Sequence, residues 1–170
     1  FSVRQSNGWF DYMGFEKNDN PFTHTVAYTL QGFWGIYKLL EAGHPWKQKL
    51  YDEIIGFSDR IIGKFDLTRK SASMFILPGE LNSRWEAAAT YVCLTGNAQF
   101  SIVWLELFLQ TGERSYYDAA SNLLDVVKKS QRLGGPDVPY RNAIAGSYPL
   151  WGRYHPTQYP NWPAKFFEIG

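Results

Sequence analysis

A chain of 170 residues with a net charge of +1 is long enough for one domain with a sizeable core, and it carries no global field favouring nucleic acid or an anionic membrane. Aromatic residues make up 18% of it, enough either to fill a large core or to line a groove that stacks on flat or ring-shaped ligands. The single cysteine, Cys93, excludes an internal disulfide and a Cys-rich zinc site; it is compatible with a reducing compartment, so the compartment reading leans toward cytoplasmic.

Residues 1–22 begin with Trp9, Asp11 and Tyr12 and end in polar turn formers before Pro21, so they read as loop. Trp9 and Asp11 are either ligand-facing or an aromatic anchor beside a solvated acid. Residues 24–42 form a predicted helix with Thr23 as N-cap, apolar side chains on nearly every face and Gly43 as its stop. Gly32 and Gly35 lower its helicity by about 1 kcal/mol each and would permit close contact with a neighbouring helix. Residues 46–65 alternate differently: Leu50, Ile54, Phe57 and Ile61 share one face, and Lys47, Asp52, Glu53 and Arg60 the other, as expected of a half-buried helix.

Residues 66–84 read as loop around Pro78-Gly79. Residues 85–94 are ambiguous: the Ala run suits a helix, Tyr91-Val92-Cys93 also suits extended chain, and we assign a short helix. Residues 96–112 then form a second helix that is apolar all round, with Glu106 as its one charge and Gly112 at the C-cap position. Residues 114–131 return to a one-sided pattern, Tyr116, Ala119, Ala120, Leu123 and Val127 against Arg114, Asp118, Asp125 and Lys128. A buried helix followed by a half-buried one has thus occurred twice, an internal repeat of helical hairpins. Residues 134–162 form a long Gly- and Pro-containing connection rich in Tyr and Trp, read as an ordered, packed loop. Asn161 is the expected cap of a last helix with Pro163 near its start.

The alternation of all-round and amphipathic helices joined by Gly-capped turns resembles the α/α toroid of six-hairpin glycosidases, several polysaccharide lyases, sugar epimerases and terpenoid cyclases. Three runs are also similar to a bacterial group with this toroid and no assigned activity: residues 21–30 (PFTHTVAYTL), residues 93–99 (CLTGNAQ), and residues 146–152 (GSYPLWG) together with 161–167 (NWPAKFF). The resemblance implies an all-α fold, a single α/α-hairpin array over residues 1–170 comprising about half a toroid. A first residue that is Phe and a final helix that reads as cut short agree with a C-terminal piece of a longer toroid. Half an array exposes an apolar side, so a homo-oligomer completing it is one expectation.

In a toroid the inner helices run the same way, and their N-terminal ends open into one funnel, favourable to anionic or hydroxyl-rich ligands. The resemblance places His24, Asn97, Gln99, Trp162 and Lys165 there. His24 is the candidate acid or base, its simpler account being a capping or core histidine; Tyr154, next to His155, is a second candidate or a packed loop residue. Trp85, Trp151, Tyr159 and Trp162 are candidates to stack on sugar rings, and Arg141, Arg153 and Lys165 to hold carboxylates, with core filling and solvation as the simpler accounts. Asp11, Glu80 and Glu86 are the few carboxylates near the expected mouth, and none forms a catalytic motif.

The expected function is carbohydrate-active, acting on or binding a polysaccharide or uronate-containing glycan as a glycoside hydrolase, polysaccharide lyase or sugar epimerase. The alternative is a non-catalytic helical module for a glycan or protein partner. A terpenoid cyclase is disfavoured because no acidic metal-binding run is present. His24, His44 and His155 lack metal-ligand spacing, Cys93 reads as a buried thiol, and no cofactor motif or membrane-spanning run is found, so no metal, cofactor, nucleic acid or membrane partner is expected.

Overall fold

A computed structural model describes residues 2–16, 19–131, 133 and 141–169. Parts of two predicted loops, residues 17–18 and 134–140 with Tyr140, lie outside the described residues. The fold is all-α. Among the described residues five helices, α1 (Thr23–Leu39), α2 (Lys47–Lys64), α3 (Leu94–Thr111), α4 (Arg114–Ser130) and α5 (Asn161–Ile169), accompany one two-residue ladder in which β1 (Val92–Cys93) pairs antiparallel with β2 (Ser147–Tyr148).

The hairpins form for local reasons. Gly112 takes φ 76°, in the left-handed region that only glycine adopts without cost, and its N–H closes on the Phe108 carbonyl at 2.8 Å. Helix α4 starts two residues later and must return along α3. The Ser101 hydroxyl reaches the Ala120 carbonyl at 3.1 Å, and Phe108 meets Tyr117, so partner numbers fall as α3 advances. Helix α4 buries Tyr116, Ala119, Ala120, Leu123, Val126 and Val127, one stripe at helical spacing. Helix α2 does the same against α1 with Leu50, Ile54, Phe57, Ile61 and Ile62.

Helices α1 and α3 run in the same direction. His24 and Gln31 both bond Gln99, Lys38 pairs with Glu106 at 2.8 Å, and Tyr37 accepts from Gln110 at 2.8 Å, so the partner's number rises along both helices. Trp34 also donates to Glu106. One core cluster lies between the two hairpins around Leu30, Phe57, Phe100 and Trp104. A second joins Leu94, Ala98, Val127, Ile144 and Phe166, and it seats α5 on α3.

Several expectations need correction. Residues 85–91 are not helical: Trp85 sits at φ 61°, Leu81 bridges Ala87, and the chain extends into β1, whose backbone partners lie on β2. Thr23 is the first residue of α1 and Phe22 holds the cap position; Thr23 instead donates its hydroxyl to the Gly79 carbonyl at 3.4 Å. Helix α1 ends at Leu39, three residues short of the predicted 42, and Asn161 is the first residue of α5, not its cap. Gly32 and Gly35 face open space, and it is Gly96 on α3 that lies against α1 too closely for a Cβ. Helices α1 and α3 are not covered on every side: α2 and α4 pack on one side of each, at Tyr37 and Phe108, while Ile36 and Leu39 on α1 and Leu109 on α3 stay exposed.

Candidate functional site

The N-terminal ends of α1 and α3 touch at Gly96, where an added Cβ would lie 2.7 Å from the Thr23 hydroxyl and 2.8 Å from the His24 backbone nitrogen. That close approach brings His24 to Gln99. The Gln99 amide nitrogen donates to Gln31 at 3.0 Å, so its oxygen faces Nδ1 of His24. Nδ1 therefore carries the proton and Nε2 keeps its lone pair. Burial lowers the His24 pKa from 6.5, the Gln99 hydrogen bond opposes this, and the nearby His155 lowers it further. His24 is neutral at pH 7, with the lone pair on Nε2, and the residue is 7% exposed.

Two phenols flank the imidazole, Tyr28 at 4.6 Å and Tyr154 at 5.3 Å between ring centroids. Tyr154 is delivered by the connection after β2. Ser147 donates to the Tyr154 carbonyl at 2.5 Å, and Gly146 has no room for a Cβ, which would lie 2.7 Å from that of His155. Tyr154 is buried against Phe22, and burial raises its pKa, so it is a neutral phenol that supports the imidazole from inside. Tyr28, 45% exposed, is the more accessible of the two phenols. The sequence reading missed it because it looked like one more apolar position of an inner helix. Phe166 of α5 lies 5.9 Å from Tyr28, and Lys165 lies over the Phe166 ring.

The first-turn amides expected to meet a ligand are otherwise engaged. Those of His24, Thr95 and Gly96, with the Thr23 hydroxyl, point at the sulfur of Cys93. They lower its pKa, but burial outweighs them and pushes the thiol up to about 12, so Cys93 is a protonated structural group.

Other predicted residues lie elsewhere. The Arg153 guanidinium sits over Phe22 and pairs with Glu80 at 3.2 Å and Asp19 at 3.0 Å, and the Glu80 charge raises its pKa. Glu80 is buried and also accepts from Tyr91 at 2.6 Å. This clamp fastens the connection carrying Tyr154 and uses the cation expected to hold a ligand carboxylate. Trp85 is a core residue between Trp9 and Phe57, its N–H donating to the Asn7 carbonyl at 3.2 Å. Asn97 is fully buried; its carbonyl accepts from the Ser101 hydroxyl at 2.8 Å, while its side-chain amide finds no partner among the described residues. Tyr159 packs half-buried on the second core cluster, and Arg141 is exposed.

Trp151 at 75% and Trp162 at 43% keep open indoles. Asp11 accepts from Gln5 at 2.6 Å and lines, with Tyr12 and Asp19, a polar cleft of about 380 Å³. Glu86 is paired with Asn82 and Arg84, which hold its carboxyl below the usual range. Among the described residues no group of three or more His, Cys, Asp or Glu is placed to hold a metal ion, and no helix is long and apolar enough to cross a membrane.

The His24 arrangement predicts a pH dependence. The folded pKa lies below the unfolded value, so the unfolded chain binds the extra proton. The stability contribution is full above about pH 6.5 and is lost as pH falls toward the lower folded value. Urea unfolding between about pH 7.5 and 5 should show this loss in the parent and a smaller one in His24→Gln; equal losses would contradict the assignment.

Comparison of the chain with protein-family models, curated proteins and solved structures finds no match.

Proposed function

We propose that the chain is a carbohydrate-active protein that takes a uronate-containing glycan at His24. The parallel α1–α3 pair, each with an antiparallel partner, is read as two hairpins of an α/α toroid, about half a ring. The observation that carries the functional reading is the neutral His24 whose Nδ1–H is tied to Gln99 and Gln31, leaving Nε2 to accept a proton.

A proton on the carbon beside a uronate carboxylate is acidified by that carboxylate. Nε2 would take it, and the electron pair left behind would either expel the neighbouring glycosidic oxygen or accept a proton on the opposite face. Tyr28, the more accessible phenol, would be the proton donor, Lys165 supplies a cation for the carboxylate, and Trp151 and Trp162 offer faces for sugar rings. Hydrolysis by paired carboxylates is the weaker chemistry here, because Glu80, the buried acid nearest this loop, is consumed by Tyr91 and Arg153. A second reading, binding without turnover, is favoured by one observation: His24 is only 7% exposed, so a ligand meets no more than its edge.

The two readings separate in one experiment. The chain is incubated with a panel of uronate and neutral glycans, following both binding and the ultraviolet absorbance of an unsaturated uronate or a change of epimer. Catalysis predicts product that His24→Gln abolishes; binding alone predicts saturable uptake, no product, and at least about tenfold weaker affinity in Trp151→Ala. Neither uptake nor product across the panel would sink the proposal.

A further inference from the structure

Where α2 ends, residues 65–76 fold around a cleft of about 540 Å³, within the size range of small-molecule sites. Two rings, Phe65 and Phe75, form part of its wall. Both are held from behind. Phe65 is half-buried and packs on the core between the hairpins, and Phe75, 52% exposed, leans on Tyr148 at 5.4 Å between ring centroids. Aromatic faces left open to a cleft gain free energy by covering a flat apolar group.

The charges of the cleft are unanswered. Asp66, Arg69 and Lys70 line it and are exposed, and among the described residues none of their side chains has a hydrogen bond, ion pair or ring contact. Asp66 takes φ 49°, and its carbonyl accepts the Arg69 N–H at 3.1 Å, so one tight turn carries the acid and, after it, the two cations. Hydroxyl donors follow the cations. Ser71 Oγ accepts the Ser73 N–H and Ser73 Oγ accepts the Phe75 N–H, each at 3.0 Å, which leaves both hydroxyl protons without an acceptor among the described residues. Before the acid stands the negative end of the α2 dipole. The cleft is therefore divided by charge along the chain: a helix end and Asp66 that favour a cation, then Arg69 to Ser73 that favour an anion.

We infer that this cleft binds a small aromatic zwitterion, of which an amino acid with an aromatic side chain is the simplest. Its ring lies against Phe65 and Phe75, its carboxylate at Arg69, Lys70 and the serine hydroxyls, and its ammonium at Asp66. A plain anion leaves Asp66 unanswered, and a plain cation leaves Arg69 and Lys70 so. The lining shares no residue with the His24 site, so its test is independent of the glycan reading.

The full chain is titrated calorimetrically with phenylalanine, with hydrocinnamate, which lacks the ammonium, with phenethylamine, which lacks the carboxylate, and with glycine, which lacks the ring. Saturable one-to-one uptake of phenylalanine is expected, with each of the other three at least about tenfold weaker. Asp66→Asn, a residue that also tolerates positive φ, should weaken phenylalanine at least about tenfold and leave hydrocinnamate no weaker. Arg69→Gln should weaken phenylalanine and hydrocinnamate together. Thermal unfolding verifies that both variants fold. No saturable uptake of phenylalanine, an equal affinity for any of the three analogues, or an unchanged affinity in folded Asp66→Asn would each overturn the inference.

Discussion

Replacing Trp104 with alanine is expected to destabilise the fold by about 3–5 kcal/mol, a large share of the roughly 5–15 kcal/mol typical of a domain. Trp104 is fully buried between the two hairpins, its ring stacked on Phe100 at 5.1 Å. Truncation there opens a cavity that three helices would have to collapse to fill, and interiors packed at crystal density relax only in part. Chemical denaturation reads the effect as a fall in midpoint at unchanged slope. The indole N–H of Trp104 has no partner among the described residues, so Trp104→Phe, which loses volume but also removes an unpaired buried donor, should cost clearly less. Equal losses in the two variants would mean that ring packing is not the source.

Gly96→Ala should cost about 1–3 kcal/mol although alanine is the better helix former. Two of the atoms its Cβ would approach belong to the α1 backbone, the His24 nitrogen and the Thr23 carbonyl carbon, both at 2.8 Å. Backbone cannot swing aside as a side chain can, so the helix ends must separate. Separation loosens His24 from Gln99 and admits water, and the His24 pKa should return toward its ordinary value, readable by NMR titration of the imidazole. Gly32→Ala is the matched control. It places the same methyl on α1 in open space, so only helix propensity acts, and a gain of up to about 1 kcal/mol is expected. The same sign for both substitutions would argue against the contact at Gly96.

The candidate site was only partly legible. His24 and Gln99 were both expected near the helix ends, and they do meet, because each lies early in an inner helix and the two helices run together. The N–H groups thought free for a ligand are turned to Cys93, a contact with no local signal because the cysteine lies outside the first turn of α1. Arg153 and Trp85 show the same limit. A cation and an indole in irregular chain read as ligand groups, yet Glu80 and Asp19 claim one, and Trp9 and Phe57 enclose the other. Tyr28 was overlooked since only tertiary packing left one side of α1 uncovered.

What the amino-acid order settles by itself is the set of four long helices, their division into all-round and one-sided types, and the turn at Gly112. These follow from side-chain spacing and backbone preference within a few residues. Tertiary structure alone decides that residues 85–91 are not helical, that the first turns of α1 and α3 abut at Gly96, and that His24 is neutral with its proton on Nδ1. Each of those outcomes depends on partners far away in the chain: β2 for β1, Thr23 for Gly96, and Gln99 and Gln31 for His24. A pattern of period 3.6 states which face of a helix is apolar, but it carries no information on which distant backbone or amide will meet that face.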